Sequence, residues 1–253
     1  MQIESFGISD TGIVREHNED NSLDSVEDGL FLVADGMGGL SKGDLASKIA
    51  VDSIENFIKK SRLEDITWPI KPQDEYSMEE NRFLAAVSLA NWNIYKQFKE
   101  DPNNRGMGTT LVGLFLDEDK VVLANVGDSR IYRIRDHSIE QVTDDHSLVM
   151  EEVRKGNMTL EEARVHPQKH VINRALGITD SIQVDISTKE YQAQDLYLLC
   201  SDGLSDMVRD EEILSLAESN EGNPLEDLGT NLIDAAKNNG GHDNITVVLV
   251  RFQ

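Results

Sequence analysis

Leu30-Phe31-Leu32-Val33-Ala34 is a short, continuously apolar run that ends on Asp35, with Gly36, Gly38 and Gly39 close behind. A run of this kind reads as a strand buried on both faces. A carboxylate at its mouth has two readings. It caps a turn, because Asp-Gly is a common turn dipeptide, or it holds a hard cation with help from a backbone oxygen such as the Gly36 carbonyl. The pattern recurs. Leu196 to Cys200 leads through Ser201 to Asp202-Gly203, and Val121 to Val126 leads to Gly127-Asp128-Ser129-Arg130. Gly240-Gly241-His242-Asp243-Asn244 comes just before the apolar run Ile245 to Val250. Carboxylates at several strand ends can converge on one cluster, and an all-oxygen cluster suits Mg²⁺ or Mn²⁺ rather than zinc. Asp128 keeps a turn reading of its own, as an acceptor of backbone hydrogen bonds.

Other polar stretches need the same weighing. Arg15-Glu16-His17-Asn18-Glu19-Asp20 is either a charged loop or part of the site. In the second case Arg15 clamps a phosphate through paired hydrogen bonds while Glu19 and Asp20 face the cations. His166-Pro167-Gln168-Lys169-His170 has metal-like spacing, but Pro167 disfavours a shared helical face, so no zinc site is expected there. The single cysteine, Cys200, lies inside an apolar strand. It reads as a buried thiol rather than a nucleophile, and it excludes an intramolecular disulfide.

The elements that must carry these residues are legible in outline. Ile3 to Ser9 reads as a first strand. Leu45, Ile49, Ile54, Phe57 and Ile58 have the spacing of an amphipathic helix over Gly43 to Lys60. Ser77-Met78-Glu79-Glu80 fits a capping box and opens a second helix to about Lys99, with Phe83, Leu84, Val87, Ile94 and Phe98 on one side. Asp101 to Asn104 breaks that helix. Strands follow over Leu111–Leu116, up to Asn125 and over Arg130–Arg135; the short turns between them imply antiparallel pairing. A polar, mostly helical region begins near Thr143, with a second possible capping box at Thr159–Glu162. Further strands are expected at Ile182–Ile186, Tyr197–Ser201 and Ile245–Phe252. Between them lie a short helix bearing Ile213, Leu214 and Leu216, and a longer one that Asn223 caps and Pro224 begins.

The chain has 253 residues and a net charge of −23. That charge argues against a nucleic-acid or anionic-membrane surface. No apolar stretch reaches membrane-spanning length, and Met1 to Ser5 lacks the features of a signal peptide. The simplest expectation is a cytoplasmic protein.

Taken in order, these motifs resemble the PPM family of metal-dependent serine/threonine protein phosphatases, the protein phosphatase 2C type, and its small bacterial members in particular. The resemblance rests on Arg15 to Asp20, Asp35 to Gly39, Gly108-Thr109-Thr110, Gly127 to Arg130, Ser201-Asp202-Gly203 and Asp243-Asn244. It implies an α+β fold, a four-layer α-β-β-α sandwich of two stacked antiparallel sheets flanked by helices. Residues 1–253 would form a single catalytic domain, with a flap at about 147–171 beside the cleft.

By the same resemblance, Asp35 bridges two tightly bound Mn²⁺ or Mg²⁺ ions. The Gly36 carbonyl binds one of them, and Asp202 and Asp243 bind the other. Glu19 and Asp20 act through metal-bound waters, and Asn244 orients the site from behind the ligands. Asp128, with Asp202, matches the place of a weaker third metal, and Arg15 matches the phosphate-binding arginine. Met37 stands where eukaryotic relatives have a histidine proposed as general acid, so the leaving oxygen's proton must come from another source.

The implied reaction is hydrolysis of phosphoserine and phosphothreonine in proteins by a metal-bridged hydroxide, reversing a cognate serine/threonine kinase. The chain would act as a monomer, without nucleic acid or membrane. The alternative is a non-catalytic phosphoprotein-binding regulatory domain on the same fold. A metal-dependent nuclease is disfavoured by the net charge.

Overall fold

The computed structural model describes residues 2–38, 42–64, 66–101, 104 and 106–253. Gly39 of the Asp-Gly motif, Pro102 and Asn103 of the helix break, and the side chain of Phe98 lie outside the described residues. In chain order the elements are β1 (Ile3–Asp10), β2 (Asp20–Ser25), β3 (Leu30–Met37), α1 (Lys42–Leu63) and α2 (Met78–Glu100). Then come β4 (Gly108–Thr109), β5 (Leu111–Asp117), β6 (Lys120–Val126), β7 (Arg130–Arg135), β8 (Ser138–Gln141), α3 (Leu148–Arg154) and α4 (Leu160–Arg164). The chain closes with β9 (Asp185–Glu190), β10 (Leu196–Cys200), α5 (Asp202–Ser205), α6 (Asp210–Ser219), α7 (Leu225–Asn238) and β11 (Ile245–Phe252).

The strands form two antiparallel sheets. One has the order β1-β11-β10-β7-β8, the other β2-β3-β5-β6-β9, with β4 paired to the end of β3. Side chains alternate across each strand, and the two sets go to different cores. Leu30, Leu32 and Ala34 of β3 pack under α1 and α2 with Ala50, Ile54, Phe83 and Val87. Phe31 and Val33 of the same strand face the other sheet and meet Tyr197, Leu199, Val248 and Val250. The outer face of that second sheet, including Leu198, Cys200, Val247 and Leu249, packs under α7 through Leu228 and Leu232. Central strands buried on both faces are therefore apolar throughout, which is why they stood out in the sequence. The result is the four-layer sandwich that the motifs implied.

The helices begin where their chemistry directs. Ser77 Oγ accepts from Glu80 N–H while Glu80 Oε2 accepts from Ser77 N–H, completing the capping box of α2. Thr159 and Glu162 do the same for α4.

Four details differ from the sequence reading. Leu45 is 38% exposed; the expected Ile54, Phe57 and Ile58 are buried, but in the first half of α1 the buried face runs through Ala46 and Ala50, one position along from Leu45 and Ile49, because α1 lies close on β3 and small residues fit there. The strand expected at Ile182–Ile186 runs from Asp185 to Glu190. Pro224 has ψ 146, so it is the residue before the first turn of α7 rather than within it. The edge strands β2 and β8, and the single turn α5, were not anticipated.

Candidate metal centre

Every strand-end carboxylate singled out above lies at one end of the sandwich. Asp35 lies near the end of β3, Asp128 follows β6, Asp202 follows β10 and Asp243 precedes β11. Antiparallel pairing places Asp20, at the start of β2, directly opposite Asp35. The alternation along β3 that turns Phe31 and Val33 inward turns Asp35 inward as well. On the facing sheet the same alternation puts Ser201 and Thr246 inward, in line with Leu199 and Val248. Ser201 Oγ (2.8 Å) and Thr246 Oγ1 (2.7 Å) both donate to Asp20 Oδ2, so this buried carboxylate is clamped between the two sheets. Thr246 N–H in turn donates to Ser201 Oγ at 3.0 Å.

The backbone around Asp35 is fixed just as firmly. Its N–H donates to Thr110 Oγ1, and its carbonyl accepts from Thr110 N–H and Thr109 Oγ1, all at 2.9–3.0 Å. Gly36 is pressed against the N-terminus of α1: a Cβ there would lie 2.2 Å from the Gly43 carbonyl oxygen. Glu19 joins the same corner. Its Oε1 accepts from Gly43 N–H at 3.1 Å, and its carbonyl accepts from Ser47 Oγ and Gly36 N–H. Asn244 ties down the loop that carries Arg15. Its Oδ1 accepts from Glu19 N–H at 2.8 Å, and its Nδ2 donates to the carbonyls of Thr11 and His17.

The electrostatics are those of a site built to hold a cation. Burial, then repulsion from Asp20, Asp202, Asp128 and Asp243, holds Asp35 well above the ordinary carboxylate range. Burial and the nearby Asp128, Asp206 and Asp243 do the same to Asp202. Burial raises Asp20 to about 6 and, with Asp145 and Asp206, Asp128 to about 7. Asp20 Oδ1 and Asp202 Oδ1 are buried without a hydrogen-bond partner. Leaving such atoms unpaired is costly, and a divalent cation supplies what they lack. The donor set is all oxygen, the kind that holds Mn²⁺ or Mg²⁺, so these residues fit the metals that the motifs implied.

Arg15 stands at the rim, half-exposed, with Nη2 at 2.6 Å from Asp243 Oδ2. Burial works against its charge, but the bond to Asp243 and the attraction of Asp202 and Asp35 hold its pKa raised. The Asp128 turn is linked to the segment that precedes α3. Arg130 grips Asp145 with two nitrogens, and Gly127 and His146 exchange hydrogen bonds of 2.8 and 3.1 Å.

Two groups beside the cluster were missed from sequence. The first is the Ser201–Thr246 clamp, whose signal was a polar residue at an inward position of an apolar strand. The second is His170, whose ring reaches Asp206. Cys200 is fully buried, and desolvation pushes its thiol up to about 12, as a structural cysteine requires. A separate cleft lined by Ile134, His137 and Gln194 lies at the opposite end of β10 and β11. Its arginines are already engaged, Arg135 by Asp195 and Arg251 by Glu4.

Known proteins resemble this chain over almost its whole length. The profile of the family described as Protein phosphatase 2C matches residues 13–249. The chain is 39% identical over 250 residues to the serine/threonine phosphatase stp of Listeria monocytogenes, covering 96% of this chain and 93% of that protein. It is 36% identical over 246 residues to the protein phosphatase PhpP of Streptococcus pneumoniae, covering 96% and 95%. The crystal structure of the catalytic domain of the serine/threonine protein phosphatase PstP, in complex with two manganese ions, matches with a TM-score of 0.83 and 33% identity. That match covers 98% of this chain and 97% of the other.

Proposed function

The chain belongs to the protein phosphatase 2C family, and from that premise we propose how its own residues carry out the reaction. It is a metal-dependent protein serine/threonine phosphatase, acting on phosphoserine and phosphothreonine. The observation that carries this reading is the buried carboxylate cluster at the shared end of the two sheets, with Asp20 Oδ1 and Asp202 Oδ1 left without partners.

Asp35 and the Gly36 carbonyl, with Asp202 and Asp243, hold two divalent cations. When bound, such ions lower the pKa of a shared water and offset charge on the phosphoryl oxygens. Asp20, locked by Ser201 and Thr246, fixes the position of Asp35 across the strand pair, and Glu19 fixes α1 against Gly36. Asn244 holds the loop that presents Arg15. The Arg15 guanidinium stands at the rim of this cluster, 2.6 Å from Asp243 and half-exposed, where a phosphoryl group would meet it. Its fork of N–H donors binds two phosphoryl oxygens and stabilises the charge that spreads over them as the P–O bond breaks.

The finer reading has four parts. Mn²⁺ or Mg²⁺ serves. A third, weaker ion sits beside Asp128 and Asp202. Residues 147–171 form a flap that selects substrates within a single catalytic domain. The chain works as a cytoplasmic monomer opposite a cognate kinase, a part that rests on composition and family resemblance. No helix among the described residues is long and apolar enough to cross a membrane. The rival, a non-catalytic phosphoprotein-binding domain, is disfavoured because Asp35, Asp202, Asp243 and Arg15 are all present and gathered at one end of the sandwich.

Asp35→Asn tests the assignment. It keeps the shape and removes the bridging charge. We expect a folded protein with almost no turnover of a phosphothreonine peptide at any Mn²⁺ concentration. Near-normal turnover by this variant would remove Asp35 from its bridging role.

A further inference from the structure

His170 has no task in the reading above. It follows α4 on the flap, yet its ring lies against the catalytic end of the sandwich. Among the described residues, His170, Asp202 and Asp206 form a group whose ligand atoms all lie within 4.8 Å of one another. Asp202 and Asp206 are four residues apart around the turn of α5, with Asp206 N–H bonded to the Asp202 carbonyl at 2.8 Å, so their carboxylates share one face. His170 Nδ1 approaches Asp206 Oδ2 to 3.4 Å from the flap side. Lys169 Nζ is 2.9 Å from the same oxygen. A simple latch between Lys169 and Asp206 would explain the lysine. It leaves Asp202 Oδ1 buried and without a partner, and it gives no reason for an imidazole to close the third side.

We propose that His170 is a metal ligand: with Asp202 and Asp206 it binds a weak divalent cation, and that ion ties the flap to the edge of the catalytic centre. This rests on, and deepens, the reading of a weaker third ion beside Asp202, adding a flap-borne nitrogen to an otherwise all-oxygen set. The nitrogen gives the site a preference. Mg²⁺ demands oxygen ligands and near-ideal octahedral geometry, whereas a first-row transition-metal ion accepts imidazole. The site therefore takes Mn²⁺ over Mg²⁺. Lys169 competes for the Asp206 oxygen, which makes the site weak.

Pulsed electron paramagnetic resonance on the Mn²⁺-loaded full chain is the direct test. A nitrogen bound to Mn²⁺ gives a ¹⁴N modulation, and every other proposed ligand is an oxygen. The wild type should show that modulation, and His170→Ala should lose it. Calorimetric titration with Mn²⁺ and separately with Mg²⁺ adds a signed pair. His170→Ala should weaken the low-affinity Mn²⁺ step by about tenfold or more, the usual scale for disturbing a metal's ligand environment. Lys169→Ala should tighten it. A latch without metal predicts neither change. Absence of the ¹⁴N signal in the wild type, or a weak step unchanged by both variants, would overturn the proposal. A weak step lost in Asp128→Ala but intact in His170→Ala would keep the third-ion reading and reject His170. A wild type that binds no Mn²⁺ would reject the phosphatase reading itself.

Discussion

Arg15 and Asp243 hold each other at the rim of the cluster, and their pairing separates two roles that one substitution can tell apart. In the proposed reading Asp243 is a ligand for a cation, whereas Arg15 is a ligand for phosphate. Arg15→Ala therefore removes a charge-assisted contact of roughly 1.5–3 kcal/mol, equivalent to about a ten- to hundredfold loss in kcat/KM. Because it also frees Asp243, Mn²⁺ affinity should be equal to or tighter than that of the wild type. Steady-state kinetics at saturating metal, paired with calorimetry, reads both; collapsed metal affinity with normal kcat/KM would reverse the assignment. At this scale the sequence was informative where a charge interrupts a strand. Asp35, Asp128, Asp202 and Asp243 each announce themselves at the end of an apolar run. Asp20 was visible only as part of a charged stretch, because its clamp comes from Ser201 and Thr246, far away in the chain and on the other sheet. His170 was hidden for a related reason. Its spacing from His166 is local, while Asp202 and Asp206 become its neighbours only when the chain folds.

At the scale of elements, the site depends on how closely α1 meets the end of β3. Gly36 and Gly43 make that approach possible, and a methyl group on Gly36 would collide with backbone rather than with a pliable side chain. Gly36→Ala should cost on the order of 1–3 kcal/mol, as overpacking does, and should displace Asp35 with it. Urea denaturation of the variant checks the first effect and Mn²⁺ titration the second; unchanged stability would mean that α1 can withdraw without consequence. The central strands and the long helices were legible because burial on both faces, or on a helical stripe, writes itself as apolar residues. The edge strands β2 and β8 were not. β2 reads Asp-Asn-Ser-Leu-Asp-Ser and β8 Ser-Ile-Glu-Gln. An edge strand needs few apolar residues and is protected by polar ones, so neither run shows a strand pattern. The same polarity shifted the expected position of β9, whose residues Ser187, Thr188, Lys189 and Glu190 pair with β6 from the sheet's border.

For the molecule as a whole, the cluster sets how stability responds to pH and metal. In the metal-free protein, burial raises Asp20 to about 6 and Asp128 to about 7, and holds Asp35 and Asp202 higher than usual. Carboxyls raised in the folded state contribute stability while protonated and lose it as pH rises through those values. Metal-free protein should therefore melt lower at about pH 8 than at about pH 5. Mn²⁺ should raise Tm more at the higher pH, because deprotonated carboxylates bind it. Scanning fluorimetry with and without chelator checks both, and a Tm indifferent to Mn²⁺ would contradict the cluster's role. The net charge of −23 acts in the same direction: without cations, the acidic centre repels a phosphate group. Metal loss should then abolish activity rather than reduce it. The most direct measurement is turnover of a phosphothreonine peptide by the purified chain with Mn²⁺, repeated after chelation, with DNA as a second substrate. The account predicts phosphate release that needs Mn²⁺, disappears with chelator, returns when Mn²⁺ is restored, and has no counterpart on DNA. Phosphate release that persists in chelator, or cleavage of DNA in place of the peptide, would contradict it.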